Sequence, residues 1–311
     1  MSYDIVGFGV ATLDLIMEVS SFPVAGGKKQ LLSSEYHGGG LTATALVAAS
    51  KLGAKTWYGG TLGDNESSIA VRKILSGFHV GFPETGCCLP EAEPILAHVY
   101  VDRHTGERTI LWSNLRTVPP VVNDKTIEVA LASKCLFADQ FYSETLLPLY
   151  RLAKEHHVPI VGDFEAVTDA HEEEALALID HLIVPAKFAQ AYTGSRNPAE
   201  AVGRLLRNPG HEVVVVTDGA DGAWFADRAN PQVRHQTAYP VEVIDTTGCG
   251  DVFHGAYSAA LVFGWDLETR IQTASAAAAI KATRRGGQAG APTHQEVIAF
   301  VKHGLTQTEN A

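Results

Sequence analysis

Short runs of valine, isoleucine and leucine alternate along this chain with longer runs that suit helices. The short runs "KCLFADQ", "VPIVGDF", "HLIVPA" and "EVVVVTDG" are nearly continuous in apolar residues. The longer runs between them include "SETLLPLYRLAKEH" and "PAEAVGRLLRN". Strands that are apolar on both faces must be covered on both faces, and helical crossovers provide that cover. The alternation therefore predicts an α/β fold with a doubly wound, mostly parallel sheet and helices on both sides.

Two segments interrupt this alternation. "IMEVSSFPVAGGKKQLLSSEYHGG" and "PILAHVYVDRHTGERTILWSN" have the pattern of antiparallel hairpins, and the second is expected to turn at Thr105 and Gly106. A length of 311 residues allows one large α/β domain with a small appendage. We therefore expect a single domain over residues 1–311, with a small β-sheet lid formed by inserted segments at about 15–37 and 95–115.

Charge and composition restrict the class of partner. The formal net charge is -11, and lysine and arginine form no block, which disfavours nucleic acid and anionic membranes as partners. No apolar run reaches the about 18–20 residues of a membrane helix, and the first residues lack signal-peptide character. The cysteines have no metal-ligand spacing; they are Cys87, Cys88, Cys135 and Cys249. These features predict a cytoplasmic protein with reduced thiols.

A glycine-rich turn, "DTTGCGD", lies between a predicted strand at 241–244 and a predicted helix. Gly248 and Gly250 lack a Cβ, so backbone N–H groups there can approach an oxyanion, and the helix N-terminus adds about half a positive charge. Asp251 falls in the first helical turn. It could accept a proton from a hydroxyl that attacks a phosphate, or it could cap the helix, and the residue alone leaves both readings open.

Two further residues accompany this turn. His254 follows Asp251 by three positions and is expected to pack or to form a local hydrogen bond on the helix face. Asp163 ends the predicted strand "VPIVGD" and either faces the same crevice or caps the end of the strand.

Four motifs, in order along nearly the whole chain, resemble those of the PfkB/ribokinase family of sugar and nucleoside kinases. "DTTGCGDVFHG" is similar to the C-terminal signature of the family and "HGGGLTATALVAASKLG" to its N-terminal signature. "FGVATLDLI" resembles the opening strand, and "VVVVTDGADGAWF" resembles the nucleotide-side strand and turn. The resemblance implies a ribokinase-like fold, ATP with Mg²⁺ as phosphoryl donor, a small-molecule sugar as acceptor, and a homodimer formed through the lid.

The resemblance also implies roles for individual residues. Asp251 matches the catalytic base, and the backbone of Gly248, Cys249 and Gly250 matches the anion hole. The implied substrate-binding positions are Asp14, Gly39, Gly40 and Thr44. The implied nucleotide-side positions are Thr217, Gly219, Gly222, Thr247 and Gly287. Asp245 and Thr247 match positions that hold a monovalent cation in some members, so a bound K⁺ is a hypothesis here.

The chain departs from the family pattern at two places. Asparagines that contact sugar hydroxyls in many members are replaced by Leu41 and Thr44. A lost amide removes a donor and an acceptor from the sugar site, which predicts a different hydroxyl pattern in the substrate. The family's Asn-x-x-Glu motif falls on "PAKF", where Pro185 and Phe188 cannot handle a metal. Either Mg²⁺ is then positioned through water, the phosphates and other groups, or the enzyme is weaker than its relatives.

Two subfamilies are closest in pattern. "TGERTILW" resembles ketohexokinases, with Arg108 reaching from the lid toward sugar or phosphate. "GGGLTATA", "DVFHGA" and "RRGGQAGAP" resemble sulfofructose kinases, with Lys28 at an anionic substrate end. Solvated hairpin charges are the alternative for both residues. The sequence thus predicts an ATP-dependent kinase for a primary hydroxyl of a ketose-like sugar or derivative. A nucleoside kinase that stacks its substrate on Trp112 or Phe22, and a sugar-sensing pseudokinase, stay open.

Overall fold

The structure is a computed structural model that describes residues 2–83, 89–105 and 107–308. The adjacent Cys87 and Cys88, Gly106 of the predicted hairpin turn, and residues 309–311 of the polar tail lie outside the described residues. In the part of the chain that is described, none of the helices combines the length and the apolar character needed to cross a bilayer.

The described strands and helices alternate along most of the chain, as the sequence predicted. The strands are β1 (Ile5–Phe8), β2 (Thr12–Val19), β3 (Ser33–Gly39), β4 (Thr56–Tyr58), β5 (Ile95–Asp102), β6 (Arg108–Ser113), β7 (Cys135–Asp139), β8 (Ile160–Asp163), β9 (His181–Pro185), β10 (Val213–Thr217), β11 (Ala223–Asp227) and β12 (Arg234–Gln236). The helices are α1 (Leu41–Lys51), α2 (Glu66–Gly77), α3 (Asp124–Leu131), α4 (Ser143–Glu155), α5 (Ala170–Leu178), α6 (Ala186–Thr193), α7 (Pro198–Leu205), α8 (Cys249–Val262), α9 (Leu267–Ala282), α10 (Gly287–Gly290) and α11 (His294–Thr308).

The large sheet has the strand order β12-β11-β10-β9-β8-β7-β1-β4. Its pairs are parallel from β4 to β10, and β11 and β12 add an antiparallel edge. Successive side chains of a strand face opposite sides, so Val213 and Val215 of β10 join one core while Val214 and Val216 join the other. Helices cover both cores. The predicted doubly wound α/β fold is therefore confirmed.

A second sheet of four strands, in the order β3-β2-β5-β6, forms the lid. β2 with β3 and β5 with β6 are antiparallel, and the two hairpins join through the parallel pair β2 and β5. The sheet begins at Thr12, three residues before the predicted limit. The chain changes sheets at Gly9, where a Cβ would lie 2.1 Å from a carboxylate oxygen of Asp139. The run "FGVATLDLI", which resembles one opening strand, is therefore divided between two strands in different sheets.

Two further local features concern the ends of helices. Helix α1 ends at Lys51, and Gly53 just after it has a φ of +103°, a backbone conformation that glycine adopts readily. The predicted strand at 241–244 is wrong. The backbone N–H groups of Ile244 and Asp245 donate to the carbonyl of Ala282, over 2.8 and 3.1 Å, at the end of α9. The segment is therefore anchored to a helix and pairs with no strand among the described residues.

Candidate active site

A cavity of about 380 Å³ is lined both by the lid sheet and by residues at the start of α8. Lid residues such as Ile16, Val99 and Ile110 form part of its wall. The sequence-predicted site residues that the cavity brings together are Asp14, Gly39, Gly40, Thr44, Arg108, Asp245, Thr247, Gly248, Asp251 and Gly287. These positions are up to 273 residues apart in sequence, from Asp14 to Gly287, and the fold places them around one space.

Six predicted site residues do not line the cavity, and two of them, Cys249 and Gly250, lie in the first turn of α8. Lys28 is exposed in the loop between β2 and β3. Thr217, Gly219 and Gly222 lie at the end of β10 and in the turn that follows it. Gly222 has a φ of +95°, and a Cβ there would lie 2.0 Å from the carbonyl oxygen of Gln236. That turn therefore requires glycine for the local backbone, whatever binds nearby.

The entry into α8 presents unpaired backbone donors. Gly248 is the N-cap residue with a φ of +76°, and no side chain caps the helix. In the described part of the chain, the backbone N–H groups of Gly248, Gly250 and Asp251 have no hydrogen-bond acceptor. A Cβ on Gly250 would meet nothing within 4 Å, so the space beside it is open. We call the N–H groups of residues 248–251 the cradle. That of Cys249 donates to the carbonyl of Thr246 at 3.2 Å, and the other three are unpaired amides at a helix N-terminus, which are suited to bind an anion.

Asp251 lies on the cavity wall directly beside the cradle. Burial is the largest cause that raises the pKa of Asp251 well above its ordinary value, and the nearby carboxylate of Asp163 raises it further. The charge of His254 acts in the opposite direction. Because α8 has no side-chain cap, Asp251 does not serve as the capping residue.

His254 links α8 to the ends of two strands. Its Nδ1 is 2.8 Å from the carbonyl oxygen of Gly250, and its Nε2 is 3.0 Å from that of Ile183 and 3.5 Å from Asp163 Oδ1. A carbonyl oxygen can only accept, so the ring nitrogen is the donor in a hydrogen bond to either carbonyl. The structure thus agrees with the predicted local hydrogen bond. Burial, and next the charge of Glu165, raise the pKa of Asp163.

Asp245, at the other end of the same turn, is surrounded by donors. One carboxylate oxygen accepts from the Thr247 backbone N–H at 2.9 Å and from Arg108 Nη1 at 3.0 Å. The other accepts from the Gly286 backbone N–H at 2.9 Å and lies 3.4 Å from Lys281 Nζ. Burial opposes ionisation, but the bonds from Thr247 and Gly286 and the charge of Lys281 outweigh it and lower the pKa of Asp245. In this structure Arg108 reaches Asp245 from the lid.

Asp14 on β2 also lines the cavity. Its Oδ1 accepts from the Thr12 hydroxyl at 2.6 Å, and burial raises its pKa despite that bond. A Cβ on Gly39 would lie 2.5 Å from Asp14 Oδ2, and one on Gly40 would lie 2.6 Å from the carbonyl of Val10. The glycine pair therefore lets the start of α1 approach β2 closely, which leaves Asp14 at the cavity.

Sequence reasoning missed two buried ionisable residues near this site. Asp139 ends β7 and accepts from the N–H groups of Val10 and Phe141 and from the Thr42 hydroxyl, over 2.8–3.0 Å. Burial raises its pKa to about 6 even so. Lys281 is fully buried in α9. An aspartate at the end of an apolar strand and a lone lysine in "ASAAAAIKA" were the available signals.

The described residues provide no metal cage of their own. No group of three or more histidine, cysteine, aspartate or glutamate side chains among them converges on a possible metal position. Pro185 ends β9, and Phe188 stacks on Tyr192 with 5.4 Å between ring centres. The departure from Asn-x-x-Glu therefore leaves apolar side chains at this edge of the sheet.

Known proteins resemble this chain over nearly its full length. The sequence model of a family described as "pfkB family carbohydrate kinase" matches residues 3–294. Ribokinase of Haemophilus influenzae is 25% identical over 271 residues, which cover 85% of this chain and 87% of that protein. A 5-dehydro-2-deoxygluconokinase of Bacillus licheniformis is 26% identical, with 96% of each chain covered. The structure of Arabidopsis thaliana ribokinase complexed with ribose and ATP has the same fold, with a TM-score of 0.86, 22% identity, and 97% of this chain and 99% of that chain covered.

Proposed function

Because the chain belongs to the pfkB family of carbohydrate kinases, we propose that it transfers the γ-phosphate of ATP to a primary hydroxyl of a ketose-like sugar or sugar derivative. One observation carries this proposal: Asp251 lies on the cavity wall next to backbone N–H groups that have no acceptor in the described part of the chain. A proton acceptor and an anion cradle in contact are the two elements that phosphoryl transfer to a hydroxyl requires.

Asp251 acts as the general base in this proposal. A general base works best when its pKa lies close to the operating pH, because it then combines basicity with a useful ionised fraction. Burial and the Asp163 charge raise the pKa of Asp251 above the ordinary aspartate value, and the charge of His254 opposes that rise. The carboxylate accepts the proton of the sugar hydroxyl while that oxygen attacks the phosphorus.

The cradle stabilises the charge that spreads over the transferred phosphoryl oxygens. Fixed N–H donors and the dipole of α8 point at that charge without reorganisation. Mg²⁺ fits this site as an ion that arrives with the nucleotide, since it commonly retains waters and phosphate ligands and needs few protein groups. When bound, it would neutralise phosphate charge. Thr217, Gly219, Gly222, Thr247 and Gly287 are proposed to bind the nucleotide.

Asp14 on the cavity wall orients the acceptor sugar. A volume of about 380 Å³ is at the small end of the usual range for ligand sites and suits a monosaccharide. Closure of the lid over the sugar would exclude water and limit wasteful ATP hydrolysis. Trp112 is 60% exposed, and neither Trp112 nor Phe22 lines the cavity, so the structure gives no support to base stacking by a nucleoside.

The outer side of the lid supports the proposed homodimer. Tyr36 on β3 and Leu111 on β6, which lie in one register row on the face of the sheet away from the cavity, are 67% and 60% exposed. Large apolar side chains that are exposed on one face of a sheet favour a partner surface. Sedimentation of the native protein should give a dimer, and Leu111→Glu should shift it toward the monomer.

A substrate panel tests the proposed activity. ADP formation is measured with ATP, Mg²⁺ and each of several ketoses, sulfofructose and nucleosides. We expect one ketose-like sugar to stimulate ADP formation and Asp251→Asn to remove most of that stimulation. Stimulation by a nucleoside alone would replace the proposal with a nucleoside kinase. Sugar binding without any turnover would indicate a sugar-sensing pseudokinase.

A further inference from the structure

Lys281 is a lysine with no exposed surface, near the end of α9. Lysine is almost never fully buried unless its ammonium is paired, because an unpaired buried charge is costly. Its neighbours in sequence are alanine and isoleucine on the N-terminal side, so its own helix supplies no opposite charge there. The groups that compensate this ammonium must therefore come from elsewhere in the fold.

Three oxygen atoms surround the ammonium. Lys281 Nζ donates to the carbonyl of Asp245 at 2.7 Å and to the carbonyl of Arg284 at 3.1 Å. It also lies 3.4 Å from Asp245 Oδ2. Two carbonyls thus accept hydrogen bonds from the ammonium, and the carboxylate supplies the opposite charge. The site is a small cluster of carbonyl and carboxylate oxygens that a single positive charge fills.

These oxygens belong to the two loops that meet at the cradle. Asp245 opens the turn that leads into α8, and Arg284 precedes Gly286 and Gly287. The loops are already close, since a Cβ on Gly248 would lie 2.8 Å from the Cα of Gly287. The Gly286 N–H also donates to Asp245 Oδ2 at 2.9 Å. The positive charge of Lys281 therefore holds the cradle loop against the loop that completes the cavity wall.

We propose that the Lys281 ammonium is a built-in monovalent cation, which positions the cradle and makes the chain independent of added K⁺ or Na⁺. A dehydrated K⁺ is held by the same type of carbonyl oxygens, so a free ion and the lysine would compete for one place. Lys281 does not line the cavity, so it is a positioning residue. In this proposal the Lys281 ammonium takes the place of the K⁺ hypothesised at Asp245 and Thr247. The proposal rests on the proposed function only where turnover is the quantity measured.

The first test compares cations on the wild type and on Lys281→Ala. Wild-type turnover should stay within about twofold when K⁺ is replaced by tetramethylammonium, whereas Lys281→Ala should lose about 10²-fold because the cradle loses its alignment. K⁺ or NH₄⁺ at about 100 mM should restore at least about tenfold in the variant by filling the vacated place, and tetramethylammonium is too large to do so.

Lys51→Ala is the matched control. Lys51 Nζ donates to the carbonyl of Ala289 at 3.1 Å, so it also binds the segment that follows Gly287, but it makes no contact with Asp245. We expect Lys51→Ala to keep wild-type turnover in every cation. A general loosening of this segment would instead give both variants the same response, which would contradict the proposal.

Three results would overturn the inference: at least tenfold stimulation of the wild type by K⁺, full activity of folded Lys281→Ala without small cations, or no rescue of that folded variant. If the variant does not fold, the wild-type cation response decides alone.

If the wild type phosphorylates no sugar, thermal melting separates a failure of the proposed function from a failure of this inference. K⁺ should then raise the Tm of Lys281→Ala by roughly 2–4 °C and leave the wild type unchanged, and an equal response of both proteins would refute the proposal.

Discussion

Two aspartates at the ends of one seven-residue turn have opposite surroundings. Asp245 accepts hydrogen bonds from two backbone N–H groups and from Arg108, and it lies beside Lys281. Asp251 is buried, and it lies close to the negative charge of a second carboxylate, that of Asp163. The pKa of Asp245 is therefore lowered and the pKa of Asp251 is raised, although both belong to the string "DTTGCGD".

The difference separates a structural carboxylate from a reactive one. A carboxylate that is saturated with donors stays ionised and holds its loop, but it has little basicity to offer. A carboxylate with a raised pKa retains affinity for a proton and is suited to acid–base chemistry. The turn thus uses Asp245 to fix the position of the cradle and leaves Asp251 free to accept a proton.

Loss of the base should have the largest effect. Asp251→Asn keeps the shape of the side chain but cannot accept a proton, so turnover should fall by about 10²–10⁴. Sugar binding should persist, because Asp14 and the glycine pair, which are proposed to contact the sugar, are unchanged in this variant. Steady-state kinetics with calorimetric sugar titration measure both quantities. Turnover within threefold of the wild type would contradict the role of Asp251 as the general base.

Loss of the structural carboxylate should mainly lower stability. Asp245→Asn leaves a buried ammonium and a guanidinium without their counter-charge, which should cost about 3 kcal/mol in the free energy of unfolding. Asp251→Asn should instead leave stability equal or raise it by about 1 kcal/mol, because it removes a carboxylate whose ionisation burial opposes. Urea denaturation of both variants at pH 7.5 compares them. The reverse order of stabilities would refute the assignment.

The pH dependence should follow Asp251. Its raised folded-state pKa means that kcat/KM declines, as pH falls, at a higher pH than an ordinary aspartate would give. The His254 charge lowers the pKa of Asp251, so His254→Gln should move this decline to higher pH. His254→Asn serves as a second variant of the same polarity. A shift to lower pH in both would show that His254 does not favour the ionised carboxylate.

The smallest effect is expected at Cys249. Burial raises the pKa of its thiol, so little thiolate is present at neutral pH and iodoacetamide should react slowly. Cys249→Ala removes only the side chain, and the cradle consists of backbone N–H groups, so turnover should stay within about twofold. A tenfold loss would indicate that the thiol itself contributes to the site.

Local patterns predicted the fold because its parallel strands are apolar on both faces. The four consecutive valines of β10 illustrate this, since their side chains alternate between the two cores. The same reasoning failed at 241–244, where "VEVI" has strand character but is bound by Ala282, which lies in a helix. The role of Lys281 was beyond prediction for a similar reason. One of its acceptors, the Asp245 carbonyl, is 36 residues away, and nothing in a helix sequence specifies which distant carbonyls surround a side chain. The glycine turn was recognisable because its chemistry is contained in seven consecutive residues.

Carbon-13 NMR titration of the aspartate carboxyls tests the central contrast most directly. Asp251→Asn and Asp245→Asn assign the two signals by their loss. The account predicts that the Asp251 carboxyl titrates above the ordinary aspartate range and the Asp245 carboxyl below it. Titration of Asp251 within or below that range, or of Asp245 above it, would contradict the account.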